Sequence, residues 1–113
     1  MRSGEIYLAR FPFGDVPGMK LRPVLLLTGA VGPVPEVLVS YISSVIPSQL
    51  LPSDLVLDPG KPQFRSTNLK ILSALRLHKL ATIHISSLVR YLGVVDVPTF
   101  DLAAKKLAVL LAL

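Results

Sequence analysis

The sequence contains no cysteine and no tryptophan, and its two histidines are His78 and His84. Without cysteine, thiolate zinc sites, thiol catalysis and disulfides are excluded, and a reducing cytoplasm is the expected location. The histidines stand six residues apart with no carboxylates at metal-ligand spacing around them, so we predict neither a metal nor another cofactor. The sequence also lacks the motifs of serine hydrolases, phosphate-binding loops and dinucleotide folds.

Long apolar runs are equally scarce. The longest uncharged run, Val37 to Ser53, has 17 residues with two prolines and six serines or glutamines, whereas a membrane-spanning helix needs about 20 mainly apolar residues. The first residues, MRSGEIYLARFPFGD, place two acids and a proline where a secretory signal has an apolar stretch. We therefore expect a soluble protein that does not enter a membrane.

Basic residues outnumber acidic ones, since twelve lysines and arginines against seven acids give a net charge of +5. This balance favours an anionic partner, either nucleic acid or an acidic protein. Hydrophobic residues make up 51% of the chain, and this excess favours a homodimer. A chain of 113 residues can bury a core of its own, so residues 1–113 are predicted to form a single domain.

The hydrophobic pattern predicts a mainly β protein, a small and strongly curved barrel with a C-terminal helix. Strands are predicted at Gly4–Phe11, Pro23–Thr28, Glu36–Ser43, Ile71–His78 and Leu88–Val95, with a short strand at Leu55–Leu57 inside a proline-rich connection. Residues Leu80–Ser87 are expected to form a turn or a short helical piece. Thr99 is expected to cap the terminal helix.

Two cations, Lys20 and Arg22, stand where a loop rich in glycine and proline enters an aliphatic strand. Pro23 suits the first position of a strand and keeps its predecessor extended, so Arg22 is predicted to be the last loop residue. Ser43 ends the next strand, with Tyr41 on the same face. A second basic group follows at Arg76 and Lys79.

These residue types suit phosphate chemistry. Arginine keeps its proton, so its planar fork stabilises negative charge and does not act as a base. With a hydroxyl from Ser43 or Ser44 beside it, Arg22 could stabilise an attacked phosphodiester without a metal, the RNA 2′-hydroxyl being the nucleophile. The alternative is a solvated arginine at a strand edge and a serine with no chemical role. Asp54 and Asp58 are interpreted as turn formers.

Three segments in order resemble the PemK/MazF family of toxin endoribonucleases. GEIYLARFPFGDVPGMKLRPVLLL is similar to the family's opening, with its G-[DE]-[IV] strand, FPF, an acidic residue, a glycine-containing loop and an RP dipeptide. YISS resembles its I-[TS]-S segment, and LRLHKLATIHISSLVRYLG resembles its [VL]-R-L-x-K-[LI]-x-[TS]-I signature. The likeness spans nearly the whole chain, except residues 46–68, which match poorly.

The resemblance implies an SH3-like barrel, a homodimer, and metal-independent, sequence-selective cleavage of single-stranded RNA that an antitoxin counters. By position, Arg22 matches the family's catalytic arginine and Ser43 its catalytic threonine or serine. The candidate RNA-binding residues are Lys20, Phe13, Ser44, Arg76, His78 and Lys79, the last three contributed by either subunit. Lys20 would bind phosphate, and Phe13 offers a ring on which a base stacks.

Each supporting residue also has a simpler interpretation. Lys20 could merely keep the protein soluble, and His78 could be structural. For the whole chain, the alternative is a barrel of the same kind that binds nucleic acid or an antitoxin without cleavage. A gyrase-poisoning relative is disfavoured, because that family relies on a C-terminal tryptophan and this sequence has none.

Overall fold

The computed structural model describes residues 1–11 and 20–113, in which six strands, two short 3₁₀ helices and one α-helix are formed. The strands are β1 (Glu5–Phe11), β2 (Lys20–Leu26), β3 (Glu36–Ser43), β4 (Asp54–Leu57), β5 (Ser73–His84) and β6 (Leu88–Val94); the 3₁₀ helices are Pro62–Thr67 and Ile85–Ser87, and α1 is Val97–Leu110. They form one antiparallel, open barrel-like sheet in the order β4-β5-β3-β2-β1-β6. The expected mainly β architecture with a C-terminal helix is confirmed.

Apolar side chains are buried on both faces of the sheet, because alternate residues of a strand point to opposite sides. On the helix-side face, the buried cluster comprises Ile6, Leu25, Ile42, Leu57, Leu75 and Leu77 of the strands with Phe64, Val95 and Ala103. On the opposite face, called the far face below, it comprises Ala9, Val24, Leu26, Val37, Val39 and Ile83. No helix in the described ranges is long and apolar enough to cross a membrane.

A bulge interrupts β5 where it pairs with β3. Tyr41 pairs with Arg76, but the next residue back along β3, Ser40, pairs with Leu80, so residues 77–79 lie between two successive rungs. Because three inserted residues reverse the alternation, Leu75 faces the helix side whereas Ile83 faces the far side. The prediction of a turn or helical piece over Leu80–Ser87 is wrong as far as His84, where β5 continues, and is confirmed for Ile85–Ser87, which form the second 3₁₀ helix.

The start of β2 also differs from the prediction. The strand begins at Lys20, and Arg22 pairs with Ala9 of β1. Arg22 is therefore a strand residue, not the last residue of the loop. Pairing of β2 with β3 begins only at Val24, because Pro23 has no N–H with which to extend that ladder. The strand setting fixes the direction in which Arg22 points.

The C-terminal helix begins with a cap that the sequence pattern misassigned. Asp96 is the N-cap, and its Oδ1 accepts a hydrogen bond from the backbone N–H of Thr99 at 2.9 Å. Pro98 lies in the first turn, where its missing N–H costs nothing. Thr99 is consequently inside the helix. Ala103 is buried against the helix-side cluster and anchors α1 to the sheet.

The first 3₁₀ helix packs directly on β6 at Gly93. Ser66 Oγ donates to the carbonyl of Val94 at 2.7 Å, and Asn68 Nδ2 donates to the carbonyl of Leu92 at 2.7 Å. Between these two bonds, a Cβ added at Gly93 would lie 2.6 Å from the carbonyl oxygen of Thr67. Only glycine therefore allows this close approach of two backbones.

A Gly93→Ala variant is expected to lose about 3 kcal/mol of unfolding free energy, because the added methyl group forces two backbone segments apart. Urea denaturation of the purified variant measures this loss. Gly29→Ala is the matched control, since its Cβ would lie 3.3 Å from the carbonyl oxygen of the terminal residue Met1. Equal stability of Gly93→Ala and wild type would show that β6 and the 3₁₀ helix are not in tight contact.

Candidate nucleic-acid interface

Lys20 and Arg22 lie on the far face of the sheet at the start of β2. Arg22 pairs with Ala9, a member of the far-face cluster, and Lys20 and Val24 share its face by alternation. Lys20 is exposed, whereas Arg22 is half-buried. The two predicted cations therefore lie on the same face, one exposed and one partly covered by its neighbours.

Ser43 ends β3 beside the start of β2. The β2–β3 ladder pairs Leu26 with Val39 and Val24 with Tyr41. The β2–β3 ladder has no rung beyond Val24 and Tyr41, but alternation puts Ser43 on the far face with Val39, the face that Arg22 also shares. The antiparallel arrangement thus brings the two predicted catalytic residues to one face at adjoining strand ends, although they are 21 positions apart in the chain.

The hydroxyl of Ser43 takes part in a tight turn. Its Oγ donates to the carbonyl of Val45 at 3.0 Å and accepts from the backbone N–H of Val45 at 3.1 Å. A hydroxyl has one proton, so Ser43 must release the Val45 carbonyl before it can donate to a phosphate. Ser44, the next residue, is exposed. The sequence did not predict this engagement of Ser43.

The second basic group lies at the bulge of β5. Arg76 pairs with Tyr41, and His78 and Lys79 are exposed on the bulged residues. Lys79 Nζ lies 5.6 Å from the centre of the Tyr41 ring, a cation–π geometry. Tyr41 was predicted to share the face of Ser43 but not to contact a cation. Bulges next to functional sites commonly redirect side chains in this way.

Arg76 forms a salt bridge that the sequence analysis missed. Its Nε donates to Oδ1 of Asp54 at 2.7 Å, with 15% of the arginine side chain and 0% of the aspartate side chain exposed. Asp54 was interpreted as a turn former, and its Oδ2 does accept from the backbone N–H of Leu51 in the turn before β4. It is also the first residue of β4 and pairs with Arg76 across the sheet, which was not predicted. The acid four residues later, Asp58, does form a turn, with Oδ1 accepting from the N–H of Gly60 at 2.9 Å.

Phe13 lies outside the described residues, so base stacking on its ring stays a prediction. His84 is structural, because its Nδ1 accepts from the N–H of Ser86 at 3.0 Å at the start of the second 3₁₀ helix. In the part of the chain that the structure describes, no three acidic or histidine side chains cluster as metal ligands do.

The far face therefore carries Lys20, Arg22, Arg76 and Lys79 around a serine and a tyrosine, with Asp54 as their acidic neighbour. Arginine forks and lysines of this kind bind phosphate groups, and a half-buried tyrosine suits a nucleobase.

Comparison with known proteins agrees with the family resemblance found in the sequence. Residues 2–111 match the family model described as PemK-like, MazF-like toxin of type II toxin–antitoxin system. No curated protein matches the sequence. Among solved structures, the Mycobacterium tuberculosis toxin MazF-mt6 is similar, with a TM-score of 0.73 and 22% identity over 96% of this chain and 97% of that chain.

Two further solved structures come from mycobacterial species. An endoribonuclease in complex with its cognate antitoxin has a TM-score of 0.70 and 18% identity, covering 100% of this chain and 96% of that one. An endoribonuclease has a TM-score of 0.69 and 18% identity, covering 100% and 92%. At these identities the similarity shows a shared fold.

Proposed function

Because the chain belongs to the PemK-like, MazF-like toxins of type II toxin–antitoxin systems, we propose that it cleaves single-stranded messenger RNA as a metal-independent endoribonuclease. The observation that supports this proposal is that alternation puts Arg22 and Ser43 on the far face of two paired strands, β2 and β3. Two structural neighbours are themselves endoribonucleases. The alternative interpretation, a solvated arginine at a strand edge, does not account for the cations gathered around Arg22.

In the proposed reaction, the 2′-oxygen of a ribose attacks the adjacent phosphorus. The bond from the 2′-oxygen to phosphorus forms, the bond from phosphorus to the 5′-oxygen breaks, and the products are a 2′,3′-cyclic phosphate and a 5′-hydroxyl. The 2′-hydroxyl releases its proton to water, and the leaving 5′-oxygen takes one from water. Arg22 stabilises the negative charge that grows on the phosphoryl oxygens. The Ser43 hydroxyl orients the phosphoryl group after its hydrogen bond to the Val45 carbonyl has broken.

The remaining residues hold the RNA on either side of the reacting phosphate. Lys20, Arg76, His78 and Lys79 bind the backbone, because phosphate contacts fix the register of a nucleic acid without reading its sequence. Ser44 is exposed beside Ser43 and adds a hydroxyl donor. Phe13 and the Tyr41 ring under Lys79 supply stacking surfaces for bases.

The proposed partners are an acidic antitoxin and a second copy of the chain, in the cytoplasm. A structural neighbour is an endoribonuclease in complex with its cognate antitoxin, and the net charge of +5 suits an acidic segment that folds over the basic far face. Homodimer formation is supported by apolar side chains exposed near the C-terminus, such as Val109 at 78% and Leu113 at 92%. Light scattering at micromolar concentration tests it, and a monomer would contradict it.

The proposed activity is tested by incubating the purified protein with single-stranded RNA in excess EDTA. Cleavage that resists the chelator and leaves cyclic phosphate ends supports the proposal. The competing function is a barrel that binds RNA or antitoxin without cutting, and it is favoured by the hydrogen bond that the Ser43 hydroxyl donates to the Val45 carbonyl. Tight binding of RNA with no cleavage would establish that function instead.

A further inference from the structure

Asp54 is a buried acid beside the cations of the far face. Its side chain is 0% exposed. Oδ1 accepts from Arg76 Nε at 2.7 Å, and Oδ2 accepts from the backbone N–H of Leu51 at 2.8 Å. Both carboxylate oxygens are therefore hydrogen-bonded, and the carboxylate is fixed by the turn that precedes β4.

A buried ion pair of this kind contributes little to stability. Removing two charges from water costs nearly as much as their attraction returns, and apolar pairs of similar volume are often as stable. The pair lies at the edge of the candidate RNA surface, because Arg76 pairs with Tyr41 and directly precedes the bulge that carries His78 and Lys79. A role in binding explains its presence better than a role in folding.

The geometry of the bond preserves the binding capacity of the arginine. The contact to Asp54 uses the Nε–H, one of the five N–H donors of a guanidinium. Because the group is planar, a bond at Nε sets the plane in which the terminal nitrogens lie. The backbone of Arg76 is also fixed, since its carbonyl accepts from Ser40 Oγ at 3.0 Å. The fork is oriented before any ligand arrives.

We propose that Asp54 is a positioning residue, which holds the Arg76 guanidinium in the orientation that binds backbone phosphates of single-stranded RNA. This inference rests on the proposed function. A pre-oriented arginine loses less rotamer freedom on binding than a free one, so the RNA is held more tightly. Asp54 itself touches no RNA and acts through Arg76.

The sign of the effect separates positioning from simple electrostatics. If Asp54 acted only through its negative charge, its removal would strengthen RNA binding, because one repulsive charge near a polyanion would be lost. If Asp54 positions Arg76, removing the Asp54 charge weakens RNA binding. A purely structural role would lower the melting temperature and leave RNA affinity unchanged.

The test compares Asp54→Asn with Asp58→Asn, which makes the same change at an acid that bonds to a turn N–H. The ligand is a uniformly 2′-O-methylated single-stranded RNA, copied from a transcript segment and unable to supply the 2′-hydroxyl. We expect Asp54→Asn to bind it about tenfold more weakly than wild type, a change of about 1.4 kcal/mol, and Asp58→Asn to bind as wild type does. Unchanged or tighter binding by a folded Asp54→Asn protein would overturn the inference.

A double-mutant cycle tests whether the effect passes through Arg76. In an Arg76→Gln background, Asp54→Asn should cause no further loss of affinity, and an additive loss would overturn the positioning role. If Asp54→Asn does not fold, Arg76→Lys is measured in its place, because lysine keeps the charge but lacks the planar guanidinium. Wild-type RNA affinity in Arg76→Lys would also overturn the positioning role. If the wild-type protein neither binds nor cuts RNA, both the proposed function and this inference are refuted. If the wild-type protein cuts RNA and Asp54→Asn binds RNA with wild-type affinity, only the inference is refuted.

Discussion

An Arg22→Gln variant is expected to cleave single-stranded RNA about 10³-fold more slowly than wild type. Glutamine keeps much of the length and polarity of the side chain but removes the permanent positive charge that opposes the charge growing on the phosphate. Removal of one fixed donor at a reacting oxyanion costs about 10²–10³ in rate, and an arginine at a phosphoryl group is at the upper end of that range or above it. Single-turnover cleavage of a labelled transcript measures the effect.

Arg10→Gln is the matched control for this prediction. Arg10 lies on the neighbouring strand, one residue beyond the Ala9 that pairs with Arg22, and therefore points from the opposite face. The variant loses the same charge and should retain the wild-type rate. Equal losses in the two variants would show that net charge, and not a placed guanidinium, accounts for the activity.

A Ser43→Ala variant is expected to slow cleavage about 10²-fold, because the alcohol that orients the scissile phosphate is lost. The same change removes two hydrogen bonds to Val45, which lowers the unfolding free energy by about 1–2 kcal/mol. Cleavage rate and urea denaturation must therefore be measured together. A loss of stability without a loss of rate would leave Ser43 with a structural role only.

Ser73→Ala supplies the control for stability. Ser73 Oγ donates to the carbonyl of Ile71, two residues away at the start of β5, as Ser43 does to Val45 at the end of β3. The control loses one such hydrogen bond instead of two, so it should lose less stability than Ser43→Ala and keep its cleavage rate. Ser43→Thr retains the hydroxyl and is expected to stay active, whereas inactivity of this variant would contradict an alcohol role.

The sequence contained enough to identify the strand that Ser43 ends. Alternation put Tyr41 and Ser43 on one face of β3, and Pro23 put Arg22 where the preceding strand begins; the pairing of these two strands was not predicted. The structure confirms β3 with its predicted bounds, Glu36–Ser43.

The sequence failed where the pattern changes phase. Lys79 and Leu80 break the alternation of β5, and this break indicated the end of a strand. It marks instead a bulge of three residues, after which the strand continues with its faces exchanged. A break of pattern has the same appearance in both cases, and only the pairing with β3 distinguishes them.

Long-range polar contacts were also beyond the sequence. The bond between Asp54 and Arg76 joins residues 22 positions apart, and nothing local marks an acid in a proline-rich stretch as buried. The bonds of Ser43 to Val45 are local, yet a serine that ends a strand looks the same whether its hydroxyl is engaged or available. Charge partners and hydroxyl directions are set by tertiary packing, which one sequence does not reveal.

The central claim is that Arg22 and Ser43 stabilise a phosphate while the adjacent ribose attacks it. The most direct measurement uses a chimeric oligonucleotide in which the single ribose at the mapped cut site is replaced by 2′-deoxyribose. The account predicts that cleavage at that position stops while binding persists, and that wild-type product ends carry a cyclic phosphate. Unchanged cutting of the chimera would contradict it, because the attacking oxygen would then come from elsewhere.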